Sequence, residues 1–361
     1  MPKLKKKSDF MTKKELALNF LNKLGVDAFV FFDEPSIFYF TGLKISDNAC
    51  VITENGIFLT ADMRYFEAAE RLNGVAVLKN TEGVFKSLEE IFSAEGIRAC
   101  AVNEGKITLK EQGKLSSLVS VKNGEAEINA LRAYKDESDL NSIKKAQKIT
   151  DAAFSHILSY LKEGVSELDI VSELEYFMKK NQAETAFNTI VLFGSKTSIP
   201  HGEPSNNKLK ANMPVLFDFG AKINGLCSDM SRSFFFGEKA PEIYKDAHET
   251  VLKAQNAALS SIKAGLTGKE CDFFAREIIN SGDFENLFTH SLGHGVGYEI
   301  HEWPNFAPRA DYPIPANAVL SVEPGIYLKG RFGVRIEDIV FTTQNEAVNL
   351  TRSPKFLNFY Q

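Results

Sequence analysis

The chain has 361 residues, 44% hydrophobic and 25% charged, with a formal charge of −5. That composition builds about two packed domains and excludes a disordered chain, a fibrous repeat and a disulfide-built miniprotein. The mild negative balance argues against a nucleic-acid partner.

In chain order, Met1–Lys14 is lysine-rich and reads as a solvated, frayed terminus. The apolar stretch after it is broken by Asn19, Asn22, Lys23 and Asp27, so no secretory core follows. No run reaches the ~18 apolar residues of a membrane span. Leu16–Leu24 has helical spacing and Gly25 is placed to end it. Ala28–Phe32 is a continuous apolar run, read as a buried strand. Ala49–Ile52 and Ile57–Thr60 flank Asn55-Gly56, which predicts a type I′ hairpin. Asp62–Leu72 predicts a helix, and Val75–Leu78 and Ala99–Val102 predict strands. Strands alternating with helices predict a small α/β domain with a mixed or parallel sheet. The polar run Lys122-Asn123-Gly124-Glu125 reads as a turn, and the boundary is set there: domains 1–125 and 126–361.

From Asp136, a stripe of Leu140, Ile143, Ala146, Ile149, Ala153 and Ile157 predicts a long helix, with Ser138 as a candidate cap. Further helices are expected near 167–181, 241–263 and 268–280. Strands are expected near 214–220, 226–236, 318–323 and 333–342, so the larger domain is α+β. Four cysteines, Cys50, Cys100, Cys227 and Cys271, lie far apart with no CxxC pair. That points away from disulfides and thiolate zinc, and toward a reducing, cytoplasmic setting.

The chemistry concentrates in the larger domain. Asp218 interrupts the apolar run Val215–Gly220, and an acid there is costly unless its charge is neutralised. Asn224-Gly225 is a second hairpin signal. A two-residue turn there pairs Asp218 with Ser231 and puts Asp218 and Asp229 on one face as diagonal neighbours, ~7–8 Å apart. Two close anions need a proton or a cation between them. Glu323 and Glu337 likewise interrupt apolar runs, and Arg335 shares a face with Glu337. Glycines 293, 295 and 297 clear space around His294. The segment is neither a phosphate cradle nor the HExxH pattern. His156 and His248 sit in helical patterns and read as ordinary helix histidines. One imidazole and four carboxylates suit Mn²⁺, Co²⁺ or Fe²⁺, and two divalent ions balance the charge better than one. Paired ions of that kind activate water, so the predicted chemistry is hydrolysis.

The Asp, Asp, His, Glu, Glu order resembles the pita-bread metallopeptidases, which include methionine aminopeptidase, aminopeptidase P and prolidase. The resemblance runs from Asp136 to the C-terminus. It rests on Asp218-Phe219-Gly220, Ser228-Asp229-Met230-Ser231-Arg232, Gly293-His294-Gly295-Val296-Gly297, His301-Glu302, Val322-Glu323-Pro324-Gly325 and Val334-Arg335-Ile336-Glu337-Asp338. Phe40-Thr41-Gly42 and Thr60–Tyr65 are similar to the creatinase/prolidase N-terminal domain, which favours the proline-directed branch. Leu226, Ser231 and Ser233 depart from the pattern's usual Tyr and Thr.

The resemblance implies a pita-bread catalytic domain of two related halves, with a curved antiparallel sheet and outer helices. Asp218, Asp229, His294, Glu323 and Glu337 would bind two divalent metals, Mn²⁺ first, with Co²⁺, Fe²⁺ or Zn²⁺ as alternatives. His201, His301 and Glu323 would be catalytic, and His201, His290, His301 and Arg335 would contact substrate. The implied reaction is hydrolysis of an N-terminal Xaa-Pro bond by a hydroxide bridging the metals, with Glu323 shuttling the proton. Peptides with proline second would be the substrates, and a homodimer the assembly. The first expectation is an Xaa-Pro aminopeptidase, with an Xaa-Pro dipeptidase as the alternative. A metal-free binding module is a distant third, because all five ligands are present.

Overall fold

The computed structural model describes residues 11–359. Most of the lysine-rich terminus, Met1–Phe10, lies outside them. The chain divides into two compact units, Met1–Arg132 and Ala133–Gln361. The boundary expected at 125 falls inside the first unit, where the strand Ser120–Asn123 passes through Gly124 into a helix. That helix, Glu125–Ala133, buries Ile128 and Leu131.

The first unit holds a six-stranded sheet in the order 75–79, 57–61, 50–53, 28–31, 99–102, 120–123, with both parallel and antiparallel pairs. Helix Lys13–Leu24 opens with a Thr12–Glu15 capping box and ends at Gly25, whose φ of 60° is left-handed. Cys50–Thr53 and Ile57–Ala61 pair as expected, but the turn is not type I′. Thr53 closes a longer loop by accepting from the backbone N–H of Asn55 and Gly56 at its Oγ1. Neither residue takes a positive φ. The expected helix Asp62–Leu72 shrinks to Phe66–Ala69, because the Asp62 carboxylate holds the backbone N–H and guanidinium of Arg64 in a turn. Strand Ser120–Asn123, whose polarity suggests a turn, is an edge strand with three of its four residues exposed and Val121 partly so.

The second unit has two halves. In one, helices Glu137–Leu158 and Glu167–Lys180 share a core with Val191, Val215, Phe217, Phe234 and Phe236. In the other, helices Glu242–Ser261 and Gly268–Asn280 share a core with Phe235, Leu320, Val322, Ile336 and Val340. Strand Ser231–Phe236 lies between the two, and its alternate side chains enter different cores. Full burial of each such side chain contributes ~1.5–3 kcal/mol. Asp136, not Ser138, caps the first long helix by accepting from the Asp139 N–H.

Two expected long strands are each interrupted. Residues 226–236 form Leu226–Cys227 and Ser231–Phe236, which join different sheets. Residues 333–342 form Phe332–Arg335 and Asp338–Thr342, again in different sheets. Asp229 and Glu337 fall in these breaks.

Candidate metal centre

Hairpin register delivers the first pair of acids. Asn224 and Gly225 have φ of 50° and 77°, as a type I′ turn requires. Ile223 pairs with Leu226, and Asp218 pairs with Ser231. A Cβ on Gly220 would lie 1.9 Å from the Ser228 carbonyl oxygen, so only glycine allows this approach. Asp218 ends its strand, and Asp229 lies in the break between Cys227 and Ser231.

Antiparallel pairing delivers the second. Val322 pairs with Asp338, so one step beyond the ladder Glu323 and Glu337 stand opposite each other. His294 occupies the middle of the short strand Gly293–Gly295 beside Val319–Val322. A Cβ on Gly293 would lie 1.9 Å from the Ser321 carbonyl, and one on Gly295 would lie 2.6 Å from that of Glu302. The glycines therefore admit neighbouring backbone rather than opening space.

The ligand atoms of Asp229, His294 and Glu337 all lie within 4.8 Å of one another. His294 Nδ1 donates to the Gly295 carbonyl at 3.1 Å, which turns Nε2 toward Glu323 Oε1 at 3.2 Å and Asp229 Oδ2 at 3.6 Å. Asp218 Oδ2 accepts from Arg335 Nη2 at 2.6 Å. Ser231 Oγ accepts from Arg335 Nε and donates to Glu337 Oε2, both at 2.7 Å. Ser321 Oγ donates to Glu323 Oε1 at 3.0 Å. Asp229, His294 and Glu337 thus converge, Glu323 meets His294, and Asp218 is linked to Glu337 through Arg335 and Ser231.

Burial, then the neighbouring carboxylates, pushes Asp229 and Glu337 well above the usual carboxylate range. Burial also raises Asp218, against the pull of Arg335. Burial opposes ionisation of Glu323, but the His294 hydrogen bond and charge outweigh it and hold the carboxyl at about 2. Burial opposes protonation of His294, but Glu323 outweighs it and raises the imidazole. The cluster is short of positive charge. Asp229 Oδ1 and Glu337 Oε1 are buried with no hydrogen-bond partner. Orphaned carboxylate oxygens beside an imidazole nitrogen are the donor set a divalent cation needs.

Around this centre, the His301 ring stands edge-on to His294 with centroids 4.3 Å apart. Burial and the His294 charge lower its pKa. Burial likewise lowers His290, whose Nδ1 lies 4.0 Å from Glu323 Oε2. His201 is exposed on the loop after Gly194–Ser198. The resemblance implies that Arg335 orients ligands or contacts substrate. It is 2% exposed, and four of its five N–H groups go to Ser231, Pro200, Tyr327 and Asp218. Those bonds hold the candidate ligand Asp218 and the loop before His201.

Two contributors were not legible in the sequence. Tyr327 O–H bridges Arg335 Nη1, at 2.8 Å, and His290 Nε2, at 2.9 Å. A Cβ on Gly325 would lie 2.6 Å from that hydroxyl, so the bare Gly325 admits the ring. Arg232 is buried, pairs with Asp338 at 2.9 Å and donates to the Glu337 carbonyl, which fixes the ligand-bearing break. Of the two helix histidines, His156 pairs with Glu173 at 2.7 Å. His248, by contrast, is only 2% exposed.

Residues 141–344 match metallopeptidase family M24, and residues 15–134 match the creatinase/prolidase N-terminal domain. The chain is 33% identical to the Xaa-Pro dipeptidase of Pyrococcus horikoshii over 97% of its own length and 99% of that protein. Its structure is similar to that of an Xaa-Pro dipeptidase from Bacillus anthracis, with a TM-score of 0.90 and 32% identity over 96% of this chain and 99% of that one. It is also similar to an X-Pro aminopeptidase from Thermotoga maritima, with a TM-score of 0.87 and 34% identity over 95% of this chain and 100% of that one.

Proposed function

Since this chain belongs to metallopeptidase family M24, and is a peptidase on that ground, we propose that it hydrolyses Xaa-Pro dipeptides. The observation that carries the reading is the convergence of Asp229, His294 and Glu337 within 4.8 Å, with orphaned carboxylate oxygens among them. Similarity to two proteins named Xaa-Pro dipeptidase favours the dipeptide over the longer peptide first expected. The similarity to an X-Pro aminopeptidase keeps that activity as the second reading.

Asp218, Asp229, His294, Glu323 and Glu337 would hold two divalent ions, Mn²⁺ first, whose chemistry there is to acidify a water and polarise the scissile carbonyl. Lowered below its ordinary value, His301 is a neutral imidazole near pH 7 and offers its N–H to the developing oxyanion. Glu323 Oε1 is taken by Ser321, so Oε2 is the atom that carries the proton toward the leaving proline nitrogen. Proline has no N–H and a fixed φ near −65°. Its carboxylate would be met by His201 and His290, since Arg335 is engaged with its ligands.

A homodimer belongs to the same proposal, on the resemblance to the family. So does a cytoplasmic setting, supported by four buried, free cysteines. Among the described residues no helix is long and apolar enough to cross a membrane.

The test is incubation with Gly-Pro and with Gly-Pro-Ala, with Mn²⁺ and with a chelator. Cleavage of Gly-Pro alone, abolished by chelation and by Asp229→Ala, is the expected result. Cleavage of the tripeptide at similar rate would move the assignment to the aminopeptidase. Activity indifferent to both chelation and the substitution would overturn it.

A further inference from the structure

The loop that carries His201 is tied at both ends to one carboxylate. Glu167, fully buried at the start of helix Glu167–Lys180, accepts from the Phe193 N–H at 2.8 Å and from Asn207 Nδ2 at 3.0 Å on Oε1. On Oε2 it accepts from Lys196 Nζ at 2.6 Å, the Ser205 N–H at 2.8 Å and Ser205 Oγ at 2.9 Å. Lys196 Nζ spans the loop itself, donating also to the Glu203 carbonyl at 2.7 Å. The backbone of Glu167 adds a further tie, its N–H donating to the Asn207 carbonyl at 3.1 Å.

From this convergence we propose that Glu167 is a positioning residue for His201, holding residues 193–207 in the arc that presents the imidazole to substrate. The inference rests on the peptidase reading of His201. A buried carboxylate with five donors, one of them an ammonium, is satisfied only while both loop ends are in place. Gln in its stead has one acceptor oxygen, and its NH₂ would face N–H donors. The first limb of the loop is also held from the metal side: the Pro200 carbonyl accepts from Arg335 Nη1 at 3.2 Å, Thr197 Oγ1 from the Gly333 N–H at 2.9 Å and Ser198 Oγ from the Gly330 N–H at 3.2 Å. Glu167 ties that limb to the returning one at Ser205 and Asn207. Ile199 is 52% exposed and His201 is exposed, so the spacing of the two limbs sets where the imidazole sits.

The test uses the full chain as wild type, Glu167→Gln, His201→Ala and the double variant, with Glu173→Gln on the same helix as control. Hydrogen exchange of segments within 193–207 is expected to quicken in Glu167→Gln, with Glu137–Leu158 unchanged. With Mn²⁺ and Gly-Pro, kcat/KM is expected to fall about tenfold or more, the worth of one to two charge-assisted bonds. That loss is expected to vanish in the His201→Ala background, since it acts through the imidazole. Unchanged loop exchange, or an equal loss with and without His201, would overturn the proposal. If Glu167→Gln does not fold, Lys196→Met and Ser205→Ala each remove one donor and are read the same way. A wild type that cleaves no Xaa-Pro peptide would defeat the Xaa-Pro reading, and the exchange experiment would still decide the tether.

Discussion

Arg335 Nη2 and Asp218 Oδ2 lie 2.6 Å apart, a buried cation and a partly buried carboxylate joined from positions 117 residues apart in the chain. The same guanidinium also holds Ser231, which holds Glu337. One cation therefore sets the aim of two candidate ligands from opposite halves of the second unit.

Arg335→Met is expected to weaken Mn²⁺ binding about 10–100-fold, the usual cost of losing a group that orients a ligand. Titration calorimetry on the apo protein measures it. Breaking one partner of a buried pair also destabilises by ~3–5 kcal/mol, so binding is compared at a temperature where the variant is folded. Wild-type affinity in the variant would mean that Asp218 keeps its orientation unaided.

Tyr327→Phe tests the chain Arg335–Tyr327–His290. Arg335 can only donate, and His290 Nδ1 donates to the Ser291 carbonyl at 2.8 Å, so the tyrosine proton must go to Nε2. Removing the hydroxyl leaves Nε2 without its donor, at ~1–3 kcal/mol. kcat/KM for Gly-Pro is expected to drop about 5–100-fold. The His290 ring ¹⁵N signals, initially those of the Nδ1–H tautomer, are expected to average between tautomers. A single unchanged tautomer in the variant would contradict this chain of donors.

Gly293→Ala and Gly113→Ala should act in opposite directions. At 293 the new Cβ would lie 1.9 Å from backbone, and the strand carrying His294 must move away from Ser321. Overpacking of that kind costs ~1–3 kcal/mol or more, and activity should fall with it. At 113, in the exposed helix Leu109–Ser116, nothing lies within 4 Å, and alanine should add ~0.5–1 kcal/mol. Chemical denaturation of both variants gives the signs. A stable, fully active Gly293→Ala would be incompatible with this close approach of two strands.

His248 predicts an acid sensitivity unrelated to the metal centre. Burial lowers its pKa to about 4, against the backbone bonds to Ser233 and Phe356. The unfolded imidazole titrates near its ordinary value, so unfolding takes up a proton below that value. Stability is fully present above pH ~6.5 and is lost as pH falls from there toward 4, by up to ~3 kcal/mol. Denaturation midpoints of the wild type and His248→Gln at pH 7 and pH 4.5 test this. Equal acid losses in the two proteins would exclude His248 as the cause.

Much of the site is legible in local sequence. Asn224-Gly225 dictates its turn, and the turn dictates the Asp218–Ser231 register. The same reasoning fails at Asn55-Gly56, where the Thr53 hydroxyl captures the turn's N–H groups instead. It also runs two pairs of strands together, since apolar content does not show where a chain changes sheets. Asp229 and Glu337 sit at those changes.

What the residues alone determined was the inventory: four acids and a histidine whose burial demands a cation, and the faces they share with near neighbours. Which distant groups meet was settled only by tertiary packing. Arg335 meets Asp218, Ser231 meets Glu337, and Glu167 gathers the His201 loop, across separations no local period encodes. Periodicity assigns a side chain to a face within its own element. The partner on the far side is chosen by the burial of two cores and the satisfaction of every charge between them.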